Sequence, residues 1–307
     1  MPLVVSSRGF SQEGFSMWVK NSWWKLGLIV ITLGFGQWTH ADPPTYQLVY
    51  RFQPGQFTHY EIDDRAEMIV QHGNNFSKII QQTQWLKSYR VVTVDENGGA
   101  TLEPITEAVR MSSQAGEKPV LSYDSEKDSS PPKEFENVAG TIGRPLARFQ
   151  VAPSGRLLKV SMIATDVPKS FSDAAEKADP AINFLIVLPE KPVKIGEQWT
   201  EKYETPVPVG NGLTRAVTMI RTYELTKVNE NIATISMRTS LLTPLTEPEI
   251  LRNLVQQTPS GTIEFDLAKG RISNRSLQIN EKVVGAYGSQ TLLEARGESV
   301  EKMVQHR

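Results

Sequence analysis

Apolar and polar side chains alternate with a period of two through most of the chain beyond residue 42. That pattern belongs to extended strands with one face on a core. Tyr46, Leu48, Tyr50 and Phe52 share one face of the first such segment, with Gln47, Arg51 and Gln53 opposite. Further on, Trp85, Tyr89 and Val91 lie on one side of a strand while Leu86, Val92 and Val94 lie on the other. Apolar residues on both sides predict that this strand is covered on both faces. Turn residues punctuate the alternation at 95–99 (Asp-Glu-Asn-Gly-Gly), 153–155 (Pro-Ser-Gly), 229–231 (Asn-Glu-Asn) and 269–270 (Lys-Gly). Strand, short polar turn, strand is the hairpin signature, so the sheet is expected to be mainly antiparallel.

The strands also repeat. Residues 54–60 resemble 195–203, residues 88–97 align without a gap on 222–231, and 100–102 align on 233–235. A fourth stretch, 149–156, aligns on 265–271 with one deletion, and all four pairs run in the same order. This predicts an internal duplication, with related halves at 42–188 and 189–307. Each half is expected to carry one helix. The first falls near 172–187, where Asp179 is placed to cap and Pro180 to open a helix. The second falls near 247–257, where Ile250, Leu251, Leu254 and Val255 form one apolar stripe behind Pro248. The expected fold class is therefore α+β, predominantly antiparallel β, with each half a curved sheet packed on one helix. Residues 116–138, rich in Ser, Pro and charge, read as a long surface loop.

Lys20 and Lys25 precede an apolar run over 26–38, followed by Thr39-His-Ala41 with small residues at the cleavage positions. Basic flank, short apolar core and small-residue site predict a signal peptide over 1–41, with Met17 a more ordinary start than Met1. The apolar run is short for the ~30 Å of a bilayer core, so an N-terminal membrane anchor is the weaker alternative. Export would leave 30 basic and 33 acidic residues in a chain of 307 that has no cysteine. A mildly acidic chain without cysteine fits a bacterial envelope, periplasmic or extracellular, better than a disulfide-rich secretory pathway. It has no basic face for nucleic acid. Thiolate zinc sites, iron–sulfur clusters and a cysteine nucleophile are excluded outright.

Three readings of the chemistry compete. His59, Glu61 and Asp63 alternate along one strand and face one way, within reach of a common cation, as a solvated polar face would also be. Asp124, Glu126 and Asp128 alternate in the surface loop but lack the spacing of an EF-hand. No Gly-x-Ser-x-Gly elbow, phosphate loop or dinucleotide turn is present, so no catalytic residue and no cofactor is assigned. Aromatics placed to line an apolar concavity are Tyr60, Trp85 and Tyr89 in the first half and Trp199, Tyr203 and Tyr223 in the second. The same rings would equally fill an ordinary core. The leading expectation is a non-enzymatic envelope protein that binds an apolar molecule, a lipid or a protein partner on a concave sheet face. A hydrolase of envelope polysaccharide or peptide and a structural scaffold are the alternatives.

Four landmarks carry a family resemblance: Tyr50-Arg-Phe-Gln-Pro-Gly55, Val109-Arg-Met111, Tyr123-Asp-Ser125, and 188–199 with its Gly-Glu-Gln-Trp199 end. Together they resemble an uncharacterised bacterial family of exported β-rich proteins, a domain of unknown function, over nearly all of 45–303. The resemblance implies a fold and an exported location. It implies no activity.

Overall fold

Nearly all of the alternating segments become strands of one sheet. The structure, a computed structural model, describes residues 42–167, 169–176, 183–209, 213–242 and 244–305. The expected signal peptide lies outside them, as do Asp179 and Pro180. No helix among the described residues is long and apolar enough to cross a membrane.

In chain order the elements are β1 (Thr45–Tyr46), β2 (Phe57–His72), β3 (Asn75–Val94), β4 (Ala100–Ala115) and β5 (Leu121–Asp124). A 3-10 turn (Lys133–Phe135) and α1 (Glu136–Ala139) lead to β6 (Ala147–Val151), β7 (Leu157–Met162) and α2 (Lys169–Glu176). Then come β8 (Val193–Lys194), β9 (Gln198–Pro208), β10 (Thr214–Asn229), β11 (Ile232–Leu241) and α3 (Pro248–Leu254). The chain finishes with β12 (Ser260–Asp266), β13 (Arg271–Val284) and β14 (Thr291–Val304). A 12-stranded sheet has the order β7-β6-β4-β3-β2-β14-β13-β12-β11-β10-β9, with β5 added beside β4. Its named strands all pair antiparallel, and the four turns read from sequence join β3–β4, β6–β7, β10–β11 and β12–β13.

The sequence-matched stretches run across this sheet in the same strand order, β7 to β2 and β13 to β9, with β14 between them. They form one continuous sheet, because β14 pairs with β2 along its whole length. Pro43–Arg307 is one compact unit in which residues before and after 188 share a core. The helices differ from expectation. α3 starts at Pro248, as predicted, and packs on β9 and β13. Among the described residues the first helix covers Lys169–Glu176, and it packs on β7 at the sheet edge. Residues 183–187, expected to be helical, are not: Ile186 and Val187 are buried in an irregular strap laid over the sheet. An all-apolar run reads as buried helix or buried extended chain alike, and tertiary contacts decided it.

The sheet is curled, and two contacts demonstrate it. Tyr50 N–H donates to Pro153 O in the β6–β7 turn at 2.9 Å, and the next residue, Arg51, donates to Gly270 O in the β12–β13 turn at 3.0 Å. Those turns stand six strand spacings apart in the sheet order, about 29 Å if it were flat at ~4.8 Å per strand. One dipeptide bridges them. Similarly, Ile250 and Leu254 of α3 pack with Tyr203 and Val217 of β9 and β10, while Leu251 and the adjoining Val255 pack with Leu293 of β14 and Met68 of β2. A seven-residue helix, roughly 10 Å long, reaches both sides only if the sheet wraps around it. The wrapped face is the concave one.

The strap is tightly held. The Tyr50 hydroxyl accepts from Ile186 N–H at 3.1 Å and donates to Ile186 O at 3.2 Å, and its ring meets Phe265 edge-on. Leu48, Tyr50, Ile186 and Leu188 fill the core over β10–β13, and Phe52 and Leu185 join that core to the one over β4 and β6. Both turn glycines, Gly155 and Gly270, have positive φ. A Cβ on Gly155 would lie 2.4 Å from Ile186 O, and one on Gly270 would lie 2.6 Å from Arg51 N.

The loop expected over 116–138 is docked. β5 pairs with the end of β4, placing Asp124 opposite Arg110 and Tyr123 opposite Met111. Tyr123 and Phe135 are buried with Val109, and the Ser125 hydroxyl accepts from Val109 N–H. Arg110 donates to Asp124 and Glu126, and Lys127 also pairs with Asp124. These carboxylates are therefore taken up by cations of the chain itself. Composition hid the docking because two aromatic anchors suffice to hold a polar segment.

Replacing Gly270 by Ala should cost about 3 kcal/mol or more, combining left-handed backbone with a clash on Arg51. Gly73→Ala, at a turn with φ of +56° and open space around it, should cost about 1 kcal/mol. Urea unfolding of the two variants measures the difference.

Candidate functional site

On the concave face the register of β3, β2, β14 and β13 lays out rows of cross-strand neighbours, about 6.8 Å apart. Nearest the strap stand Lys87, Tyr60 and Met303. The next row is Trp85, Ile62, Glu301 and Arg275, and after it Thr83, Asp64, Ser299 and Leu277. Then come Gln81, Ala66, Gly297 and Ile279, followed by Ile79, Met68, Ala295 and Glu281. The face thus passes from aromatic and charged residues, through small ones, to apolar ones toward the β2–β3 turn.

A cavity of about 470 Å3 lies over the small residues. Its floor includes Thr83, Ala66, Leu277, Ala295, Gly297 and Ser299, and Gln256 and Pro259 line it from the loop that follows α3. That loop is fixed. Arg252 of α3 donates to Ala286 O, Thr258 donates to Glu281, and Pro259 O accepts from Thr239 N–H. The space exists because small side chains stand where a curved sheet and a covering loop diverge. Its volume is that of a small-molecule pocket.

The strap-side wall is polar and ordered. Arg275 pairs with Glu301 and also donates to Phe184 O in the strap. Burial works against the Arg275 charge, but the Glu301 carboxylate outweighs it and holds the guanidinium above its ordinary pKa. Trp85 Nε1 donates to Asp64 at 2.9 Å. The Lys87 ammonium stands 4.6 Å from the Trp85 ring centre. Burial pulls its pKa below the ordinary lysine value, the Asp64 and Glu301 carboxylates oppose that fall, and Arg275 adds to it.

The aromatics singled out from sequence all lie on this face, in separate groups. Tyr60 and Tyr89 are buried under Phe184, which stacks on Tyr89 at 4.2 Å; the Tyr60 hydroxyl donates to Ile272 O. Burial raises the pKa of both phenols, Glu301 adding to it. Trp199 stacks on Tyr223 and donates to Val187 O, and the Tyr223 hydroxyl donates to Glu201. Tyr203 lies beneath the Arg221 guanidinium, 4.5 Å from its ring centre. These rings anchor the strap and α3. Trp85 alone among them stands beside the cavity, through its bond to Asp64. The residues that form the floor were not read from sequence, although the run Ala295, Gly297, Ser299 on the inner side of β14 was a visible signal.

His59, Glu61 and Asp63 occupy the opposite face of β2. His59 is buried with Nε2 3.3 Å from Glu107 Oε1, Glu61 is exposed, and Asp63 accepts from Gln84 at 3.2 Å. Among the described residues no three His, Asp or Glu side chains are grouped to hold a metal ion. Ser88 stands directly opposite His59, but its hydroxyl is fully buried and out of reach of any substrate.

Glu301→Gln should cost about 3 kcal/mol, because it leaves the Arg275 guanidinium buried without its counter-charge. Chemical denaturation checks this, and Glu301→Gln with Arg275→Met should recover part of the loss. Lys87→Met should raise stability at neutral pH. A base whose folded pKa is lowered destabilises the fold while it is charged, so the penalty is full below the lowered pKa and fades toward the ordinary value of 10.5. The stability gap between Lys87→Met and the parent should therefore narrow from pH 8 to pH 10.5, with Asp64, Glu301 and Arg275 the charged neighbours in both proteins.

Comparison with known proteins adds the following. No curated protein matches the chain. Among solved structures, a chain described as "Lipid-protein interactions in lipovitellin" aligns at 13% identity and a TM-score of 0.44, covering 84% of this chain. This chain spans about a quarter of that one, 26% of its length. Residues 159–272 match a family described as "Family of unknown function (DUF6263)". The match runs from β7 to the start of β13, and the family it points to is, like the one the landmarks resemble, of unknown function.

Proposed function

We propose that the chain is an exported envelope protein that binds one apolar molecule or acyl chain on the concave face of its sheet. The observation that carries this reading is the cavity of about 470 Å3 floored by Ala66, Ala295, Gly297 and Ser299. Its walls are apolar on the side of α3 and polar on the side of the strap, which suits an elongated ligand lying along the strands. The rings of Tyr60, Tyr89, Trp199 and Tyr223 support the site by holding the strap, Trp85 holds Asp64 of its wall, and the ligand contacts fall to the small residues of the floor. The two sequence-matched meanders fit a duplicated unit, with β14 joining the copies. Export rests on the sequence of residues 1–41.

Protein purified from its native host and extracted with organic solvent should release a lipid or apolar compound detectable by mass spectrometry. Gly297→Leu tests the location. A Cβ at Gly297 would make only ordinary contacts, 3.6 Å to Arg65 O and 3.7 Å to the Ile279 Cβ, so the variant should fold. It should keep its melting temperature within a few degrees and lose at least tenfold in affinity for an acyl probe. An unchanged affinity would move the binding site elsewhere.

A further inference from the structure

Rows of side chains on the concave face place one cation apart from all others. Arg275 is matched by Glu301, and Arg221 by Glu201. Lys87 is not matched in this way. It lies in the row beside Tyr60, with its ammonium over the Trp85 ring, whose indole is bonded to Asp64 of the cavity wall. Among the described residues no carboxylate stands within ion-pair distance of its ammonium. The two nearest in its electrostatic surroundings are engaged elsewhere, Asp64 by the Trp85 indole and Glu301 by Arg275. An ammonium on an apolar face loses hydration and gains only the Trp85 ring in return. Lysine stems adapt readily, but the flanking residues here hold Lys87 inward: Tyr60 and Tyr89 are buried on the strap side, under Phe184. A half-buried cation kept without a counter-ion, two rows from the Thr83 and Asp64 wall of the cavity, is chemically incomplete.

Resting on the acyl-cavity reading above, we propose that Lys87 receives the anionic head of an amphiphilic ligand, a carboxylate or phosphate, whose hydrocarbon chain runs along Ala66, Gly297 and Ala295. The head would reach past the Thr83, Asp64 and Ser299 row that lines the cavity to the Lys87 ammonium, with the Thr83 and Ser299 hydroxyls flanking its path. The chain would point toward Met68 and Val255, where the face is apolar. Asp64, in the same wall, repels a dianion more than a monoanion and so favours a singly charged head on the Lys87 side of its row.

The test uses the exported chain and four probes with one twelve-carbon tail: dodecanoate, dodecyl phosphate, dodecanol and dodecyltrimethylammonium, each titrated below its micelle concentration by calorimetry. Dodecanoate, dodecyl phosphate or both should bind at least tenfold tighter than dodecanol, and the cationic probe weakest. Preference for the carboxylate identifies a fatty-acid-like ligand, and preference for the phosphate a phospholipid-like one. Lys87→Met should reduce the anionic probes to the affinity of dodecanol while leaving dodecanol unchanged, and Lys87→Arg should keep the preference. Equal binding of all four probes by the parent, or an anionic preference that survives Lys87→Met, overturns the head-group assignment while the cavity reading stands. If no probe binds, the cavity reading itself fails and this inference with it. Should Lys87→Met not fold, loss of preference on raising the pH from 7 to 11 in the parent, with dodecanol as control, gives the same reading.

Discussion

The backbone of Tyr50 and Arg51 holds together two hairpin turns that the sheet order sets far apart. A broad antiparallel sheet twists and tends to coil, but twist alone does not choose which end closes or how far. Here two adjacent N–H groups choose, by donating to Pro153 O and Gly270 O. Tyr50 and Gly270 are buried, so opening the sheet would give up one polar group of each pair without a ready exchange for water. The rest follows from that closure. The strap brings Ile186 and Leu188 over β10–β13, Phe184 over Tyr89, and Phe52 between two cores that would otherwise be separate.

Closure at one end has a cost at the other. As the wrapped faces diverge from the strap, side chains must either grow to fill the gap or leave it open. Over α3 they fill it, with Leu251, Val255, Val283 and Leu293 in contact. Over Ala66, Gly297 and Ser299 they do not. Natural interiors are packed to crystal-like density, so a void floored by the smallest side chains on the central strands is a departure that weakens the fold. The half-buried Lys87, two rows from the Thr83 and Asp64 wall, is a second such departure. Both lie on the same face, and sites where local rules fail together are where function is expected.

The period-2 pattern, the four hairpin turns and the start of α3 were legible because each depends on near neighbours along the chain. The landmarks that carried the resemblance also find their reason locally. Arg110 of Val-Arg-Met pairs with Asp124 of Tyr-Asp-Ser, Ser125 completes the ladder at Val109, and Trp199 donates to the strap at Val187. They are staples of the fold, which explains why reading them gave architecture without chemistry. The conspicuous aromatics misdirected attention for the same reason, since large rings are what a strap needs for anchoring. The cavity residues were hard to see because a site made of absent volume has no distinctive residue type. The alternating Ala295, Gly297 and Ser299 had no meaning until β2 and β13 were placed on either side of them.

By itself the amino-acid sequence determined strands, turns, a mainly antiparallel β class, and the absence of thiol chemistry, since these follow from periodicity, turn geometry and composition. Tertiary structure decided that 183–187 is strap and not helix, that 116–138 is docked, that the matched halves make one sheet, and that His59 answers to Glu107 across the strands. It also decided where the chain left space. Curvature is a property of the whole sheet, fixed by contacts between residues about one hundred and two hundred positions apart, and no local pattern contains it.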